Sequence, residues 1–264
     1  KNGDSLYILI YVTQNKDSYG DPDPYADDMF KSAAITRQLD IERSKTFDSK
    51  RDKVVLIEVA DLAKIKVNVK KVVSDFSKVY GKTAEVGLYS HAALDGPRGG
   101  VKTSEDPLKP GSKQMNLEGW AKINLNFSSQ DARIGFFGCN TGNAGNRSFS
   151  FATMVSFLKN YNNVSVFGQT TKTYPSQYTN TWNPSLDQIN GNHLPVFVEY
   201  QVYKPRLGGW VNMRMQVRHT YLVGSNASSL DAFLGGAKAE SLSVSKNGVE
   251  LKNQNIYQEG AKEK

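Results

Sequence analysis

The sequence predicts an α/β fold: a mainly parallel sheet with helices on both faces and extra strands at the C-terminal end. Three observations carry that expectation. The segments 6–12 and 54–59 are near-continuous apolar runs, as strands buried on both faces require. Between such runs, apolar residues recur at helical spacing, most clearly Leu62, Ile65, Val69, Val72, Val73, Phe76 and Val79. The alternation of the two patterns continues to Gly168, and strands interleaved with crossover helices build parallel sheets.

Taken in order, Leu6-Tyr7-Ile8-Leu9-Ile10-Tyr11-Val12 is the first strand, and Asp21-Pro22-Asp23-Pro24 breaks the chain after it. Asp27 or Asp28 is expected to cap a helix that carries Met29, Ile35 and Leu39 toward the core. Val54-Val55-Leu56-Ile57-Glu58-Val59 is the second strand, and Gly81 closes the helix that follows it. Glu85-Val86-Gly87-Leu88-Tyr89-Ser90 is the third, ending at His91. A loop rich in Gly, Pro and Lys is expected over 92–119, mobile and close to the site, with a partly helical stretch over 117–125. Ala132-Arg133-Ile134-Gly135-Phe136-Phe137-Gly138 is the fourth strand, ending at Cys139. Phe151, Val155 and Leu158 mark a helix, and Val164-Ser165-Val166-Phe167-Gly168 is the fifth strand. From Pro195 the texture changes to a hairpin, 196–203 with 210–217, turned at Leu207-Gly208-Gly209. A short strand pair is expected around Asn247-Gly248. The organisation that follows is a core over 1–190 and a strand-rich extension of the same domain over 191–264.

Composition narrows the function. The net charge is +7 and the pI about 9.2, yet the lysines are dispersed and no basic stripe interleaved with stacking aromatics is present, which argues against a nucleic-acid partner. No apolar run approaches the roughly 20 residues of a membrane span. One cysteine excludes an intramolecular disulfide, as in a reducing compartment or an exported bacterial protein. Glycosylation-type triplets begin at Asn126, Asn146, Asn163 and Asn226, but the one at Asn163 runs into an expected core strand. A chain beginning at Lys1 reads as a fragment or mature product, secreted or delivered.

His91 and Cys139 each stand at the carboxyl end of an expected strand, the rim where open parallel sheets bind ligands. A thiolate is the working nucleophile, and a nearby imidazole or helix N-terminus lowers its pKa. The turn Cys139-Asn140-Thr141-Gly142-Asn143-Ala144-Gly145 precedes a helix, where exposed N–H groups can hold an oxyanion. Taken singly, Cys139 reads as a small buried hydrophobe and His91 as a hydrogen-bonded loop histidine. Their joint position shifts the reading to a nucleophile with an acid/base partner. His193 lies in an expected turn and His219 near the end of an expected strand. Scattered histidines and one cysteine provide no metal-ligand spacing, and no G-x-S-x-G elbow, P-loop or GxGxxG occurs, so no metal or cofactor is expected.

Ser90-His91 after one strand and Phe137-Gly138-Cys139-Asn140-Thr141-Gly142 after the next resemble the caspase-like (clan CD) cysteine peptidases, nearest to the CHAT version with Thr-Gly two residues after Cys. The 48-residue spacing from His91 to Cys139 is close to the roughly 50 of caspases. The likeness covers residues 5–175 and includes the order strand-His, long loop, strand-Cys, helix, strand. It implies a caspase-like fold and an endopeptidase acting on protein or peptide substrates, with Cys139 as nucleophile and His91 protonating the leaving amine. It further implies an oxyanion hole at the N–H groups of Ala92 and Cys139, and a P1 pocket bordered by Gln169, Thr170, Thr171, Lys172 and Tyr174. The family has glycine where this chain has Ala92, which restricts φ. Ser90-His91-Ala92 with Asp95-Gly96-Pro97 also resembles toxin-like C-terminal domains of bacterial RHS-type proteins. Two other functions fit the residues: a cysteine-dependent transferase or deamidase, and an inactive binding module, which Ala92 favours.

Overall fold

The structure, a computed structural model, describes residues 4–15, 24–60, 62, 65–98, 116–128, 131–170, 174–175, 196–204, 209–217, 225–227 and 242–251. The chain runs β1 (Ser5–Val12), α1 (Pro24–Arg43), β2 (Lys53–Val59), α2 (Ile65–Tyr80), β3 (Lys82–Tyr89), then the small hairpin β4 (Ala92–Ala93) and β5 (Gly96–Pro97). It continues with α3 (Leu117–Ala121), β6 (Arg133–Phe137), α4 (Phe151–Ser156), a 3-10 turn (Lys159–Tyr161), β7 (Ser165–Gln169) and β8 (Tyr174–Pro175). Strands β9 (Val196–Lys204), β10 (Gly209–Val217), β11 (Ser225–Ala227), β12 (Leu242–Lys246) and β13 (Val249–Leu251) follow.

Among the described residues, seven strands form the central sheet in the order β13-β12-β7-β6-β3-β1-β2. The five from β2 to β7 are parallel, and β12 and β13 extend the β7 edge in antiparallel fashion. The order reverses between β1 and β3, which is therefore the topological switch point.

Strand alternation divides the apolar residues between two layers. Leu6, Ile8, Ile10 and Val12 of β1, with Val86 and Leu88 of β3 and Ile134 and Phe136 of β6, face the main core. There they meet Leu62, Ile65 and Val69 from the α2 region, Trp120 of α3, and Phe151 and Val155 of α4. Edge-to-face contacts run from Trp120 to Phe136 and on to Phe151. The opposite face is covered by α1, whose Arg37 reaches Glu85 of β3.

Helix α1 departs from its expected form. It begins at Pro24, where a missing N–H costs nothing, so Asp27 lies inside the first turn rather than at the cap. Its buried face is Ala26, Phe30, Ala33, Ala34, Arg37 and Ile41. Ile35 and Leu39 are only half-buried, and the Met29 side chain lies outside the described residues. Small alanines let the helix sit close to the sheet, and a buried arginine takes a position that a hydropathy pattern assigns to solvent. The expected helix after Cys139 is also shorter: α4 stops at Ser156 and a 3-10 turn replaces its last part.

Strands β9 and β10 pair as the expected hairpin, and β12 and β13 turn at Asn247-Gly248. The loop expected over 92–119 starts with β4 and β5 rather than open coil; residues 99–115 lie outside the described residues. Asn163 is exposed with φ of 62°, just ahead of β7, and its backbone N–H and side chain bond to Asn247. Among the described residues, no helix is long and apolar enough to cross a membrane.

Candidate active site

His91 and Cys139 leave adjacent strands at matching register. Tyr89 of β3 pairs with Phe137 of β6, and each candidate residue follows its strand's member of that pair by two positions. Neighbouring strands are about 4.8 Å apart. The two segments also touch: a Cβ built on Gly138 would lie 2.6 Å from the Ser90 carbonyl oxygen and 3.3 Å from the Ala92 nitrogen. Glycine before the cysteine is therefore a steric requirement of this close approach. Both His91 and Cys139 are half-buried at the rim.

His91 is held from two sides. Its carbonyl accepts the Arg98 N–H at 2.7 Å, which closes the β4–β5 hairpin behind it. The Phe30 ring of α1 meets the imidazole edge-to-face, centroids 5.1 Å apart at 89°. Ala92 follows in β4 and is not among the residues with positive φ, so alanine here carries no backbone strain.

The turn carrying Cys139 is fixed by its own side chains. The buried Thr141 hydroxyl donates to the Phe136 carbonyl at 2.7 Å, lies 3.2 Å from that of Gly138, and accepts the Gln169 N–H at 3.0 Å. Gly142 N–H donates to the Gln169 carbonyl, and Ala152 N–H to that of Thr141. Gly142 and Gly168 are pressed together: a Cβ on Gly168 would stand 2.6 Å from the Gly142 nitrogen. Asn140 adopts φ of 60°, a conformation asparagine tolerates better than most residues. Asn143 extends the clamp to the Thr170 carbonyl. Thr141 and Gly142, two residues of the motif read from the sequence, thus tie the Cys139 turn to the end of β7.

Among the residues expected to border a P1 pocket, Gln169 is buried and both its backbone groups hold the Cys139 turn. Thr170 is half-buried. Tyr174 lies in β8, whose backbone pairs with β11 and which lies against α1. Thr171 and Lys172 lie outside the described residues, as do His193 and His219.

Three features of this region escape sequence reading. Arg37 and Arg133 both bond the fully buried Glu85, at 2.7 Å each through Nε. Burial alone would raise the Glu85 carboxyl, but the guanidinium groups of Arg133 and Arg37 hold it down, at about 2. Asp27 accepts the backbone N–H groups of Gln14 and Asn15 and the Asn15 amide, joining α1 to the end of β1. Ser243 of β12 donates to the Gly142 carbonyl at 3.2 Å, so the C-terminal edge strand backs the cysteine turn. Glu85 at the head of the apolar run 85–90 was the available signal. Among the described residues, no cluster of three or more His, Cys, Asp or Glu could hold a metal ion.

Comparison of the chain with protein-family models and with curated proteins finds no match.

Proposed function

We propose that the chain is a cysteine endopeptidase of the caspase-like kind, acting through Cys139 and His91 with no cofactor. The observation that carries the reading is the shared register of β3 and β6, which starts both residues from one cross-strand pair on one rim. The clamp of Thr141 and Gly142 on β7 supports it further, because a nucleophile needs a fixed turn more than a packing residue does.

In this mechanism the Cys139 thiolate attacks the scissile carbonyl carbon, and the oxyanion is received by the N–H groups of Ala92 and Cys139. His91 protonates the leaving amine as the C–N bond breaks, leaving a thioester on Cys139. Water then adds to the thioester and the C–S bond breaks, releasing the acid and restoring the thiol.

The test is a time course against a library of short peptides, with thiol alkylation in parallel. Cys139→Ala should abolish cleavage with the fold retained, and His91→Ala should lower turnover by roughly two to four orders of magnitude. His193→Ala and His219→Ala should cleave as the wild type does. A transferase or deamidase would instead modify a side chain and leave peptides uncut. A protein with an unreactive Cys139 and no product of either kind would be a binding module.

A further inference from the structure

Resting on the Cys139–His91 reading, we propose that Phe30 is a positioning residue that sets the orientation of the His91 imidazole. His91 lies beyond the last hydrogen-bonded pair of β3, where a side chain at a strand end ordinarily samples several rotamers. Here one wall of its site is the ring of Phe30, only 3% exposed and perpendicular to the imidazole at 5.1 Å. Edge-to-face geometry is a preferred arrangement for two aromatic rings and resists rotation of either one.

A positioning wall must itself be fixed, and α1 is anchored on both sides of Phe30. One turn before it, Asp27 takes the N–H groups of Gln14 and Asn15, at 3.0 and 2.8 Å, beyond the end of β1. Two turns after it, Arg37 is held by Glu85 of β3 through bonds of 2.7 and 2.8 Å. Residues 27, 30, 34 and 37 share one helical face, so these ties and the Phe30 ring all point at the sheet. β1 and β3 flank the switch point, and α1 packs against both, which brings Phe30 beside His91 just past the carboxyl end of β3.

The test compares Phe30→Leu, which removes the ring but keeps an apolar side chain, with Ile41→Val, a buried change farther along the same helix. Full-length protein labelled at histidine is followed by NMR, with the three imidazoles assigned through His91→Ala, His193→Ala and His219→Ala. In Phe30→Leu the His91 signals and their titration midpoint should move while the other two stay. Turnover should fall about tenfold with KM unchanged, the signature of a misplaced acid/base group. Ile41→Val should lower Tm and alter neither readout. The proposal is overturned if Phe30→Leu leaves the His91 signals in place, if they move without loss of kcat in an active enzyme, or if Ile41→Val reproduces both effects. Should the wild type cleave nothing, the peptidase reading is lost, and the NMR comparison alone still decides whether Phe30 orients His91.

Discussion

Thr141→Val should destabilise the protein by about 2–4 kcal/mol and disorganise the turn that carries Cys139. The replacement keeps the branched shape and exchanges the hydroxyl for a methyl group. In the native structure that hydroxyl serves the Phe136 carbonyl at 2.7 Å, the Gly138 carbonyl at 3.2 Å and the Gln169 N–H at 3.0 Å, all in a buried setting. Orphaning the Gln169 N–H costs about 1–3 kcal/mol, and the lost bond to the Phe136 carbonyl adds about 1 kcal/mol. Thr141→Ser keeps the hydroxyl and removes one methyl group, which costs about 1 kcal/mol. The expected order is therefore wild type, then Ser, then Val, read as urea midpoints at a common slope. Cys139 is the only cysteine, so the rate of thiol alkylation reports on that turn alone, and it should change more in Val than in Ser. A Val variant within 0.5 kcal/mol of wild type, taken as the roughly ±0.5 kcal/mol range of ordinary surface changes, or a Ser variant less stable than Val, would refute the argument.

Other outcomes follow from the same geometry. Glu85→Gln leaves the Arg37 and Arg133 guanidiniums facing a neutral amide and should cost about 3–5 kcal/mol by urea unfolding. Because Glu85 is held at about 2 against an ordinary 4.5, its contribution is complete above pH 4.5 and is lost as pH falls from there through 2. The wild type should therefore lose Tm more steeply than Glu85→Gln across that window; parallel curves would contradict the assignment. Gly168→Ala brings a methyl against the Gly142 backbone and should lower stability by about 1–3 kcal/mol, with a changed alkylation rate at Cys139; an unchanged Tm would show that the contact yields easily. Ser243→Val removes the bond to the Gly142 carbonyl and adds bulk beside Gly168, so it should shift Cys139 reactivity from the far side of the turn; identical alkylation kinetics would detach β12 from the site.

Local pattern was enough for the parallel core. The runs at 6–12, 54–59, 85–90, 132–138 and 164–168 are strands because sheet burial on both faces demands consecutive apolar residues, and that demand is written in the chain itself. The placement of His91 and Cys139 at strand ends was legible for the same reason. Pairing was not: that β3 and β6 are neighbours, with Tyr89 opposite Phe137, depends on which strands pair, and each strand alone is compatible with several partners. Arg37, Glu85 and Arg133 show the limit most clearly. Each reads as a solvent-facing charge, and 48 residues separate Glu85 from each arginine. Burial of the three becomes affordable only when the folded sheet and α1 bring opposite charges within hydrogen-bond distance, which no local propensity encodes. The same holds for Phe30 against His91 and for Ser243 behind Gly142: contacts across long sequence separations arise from packing, so tertiary structure alone decides them.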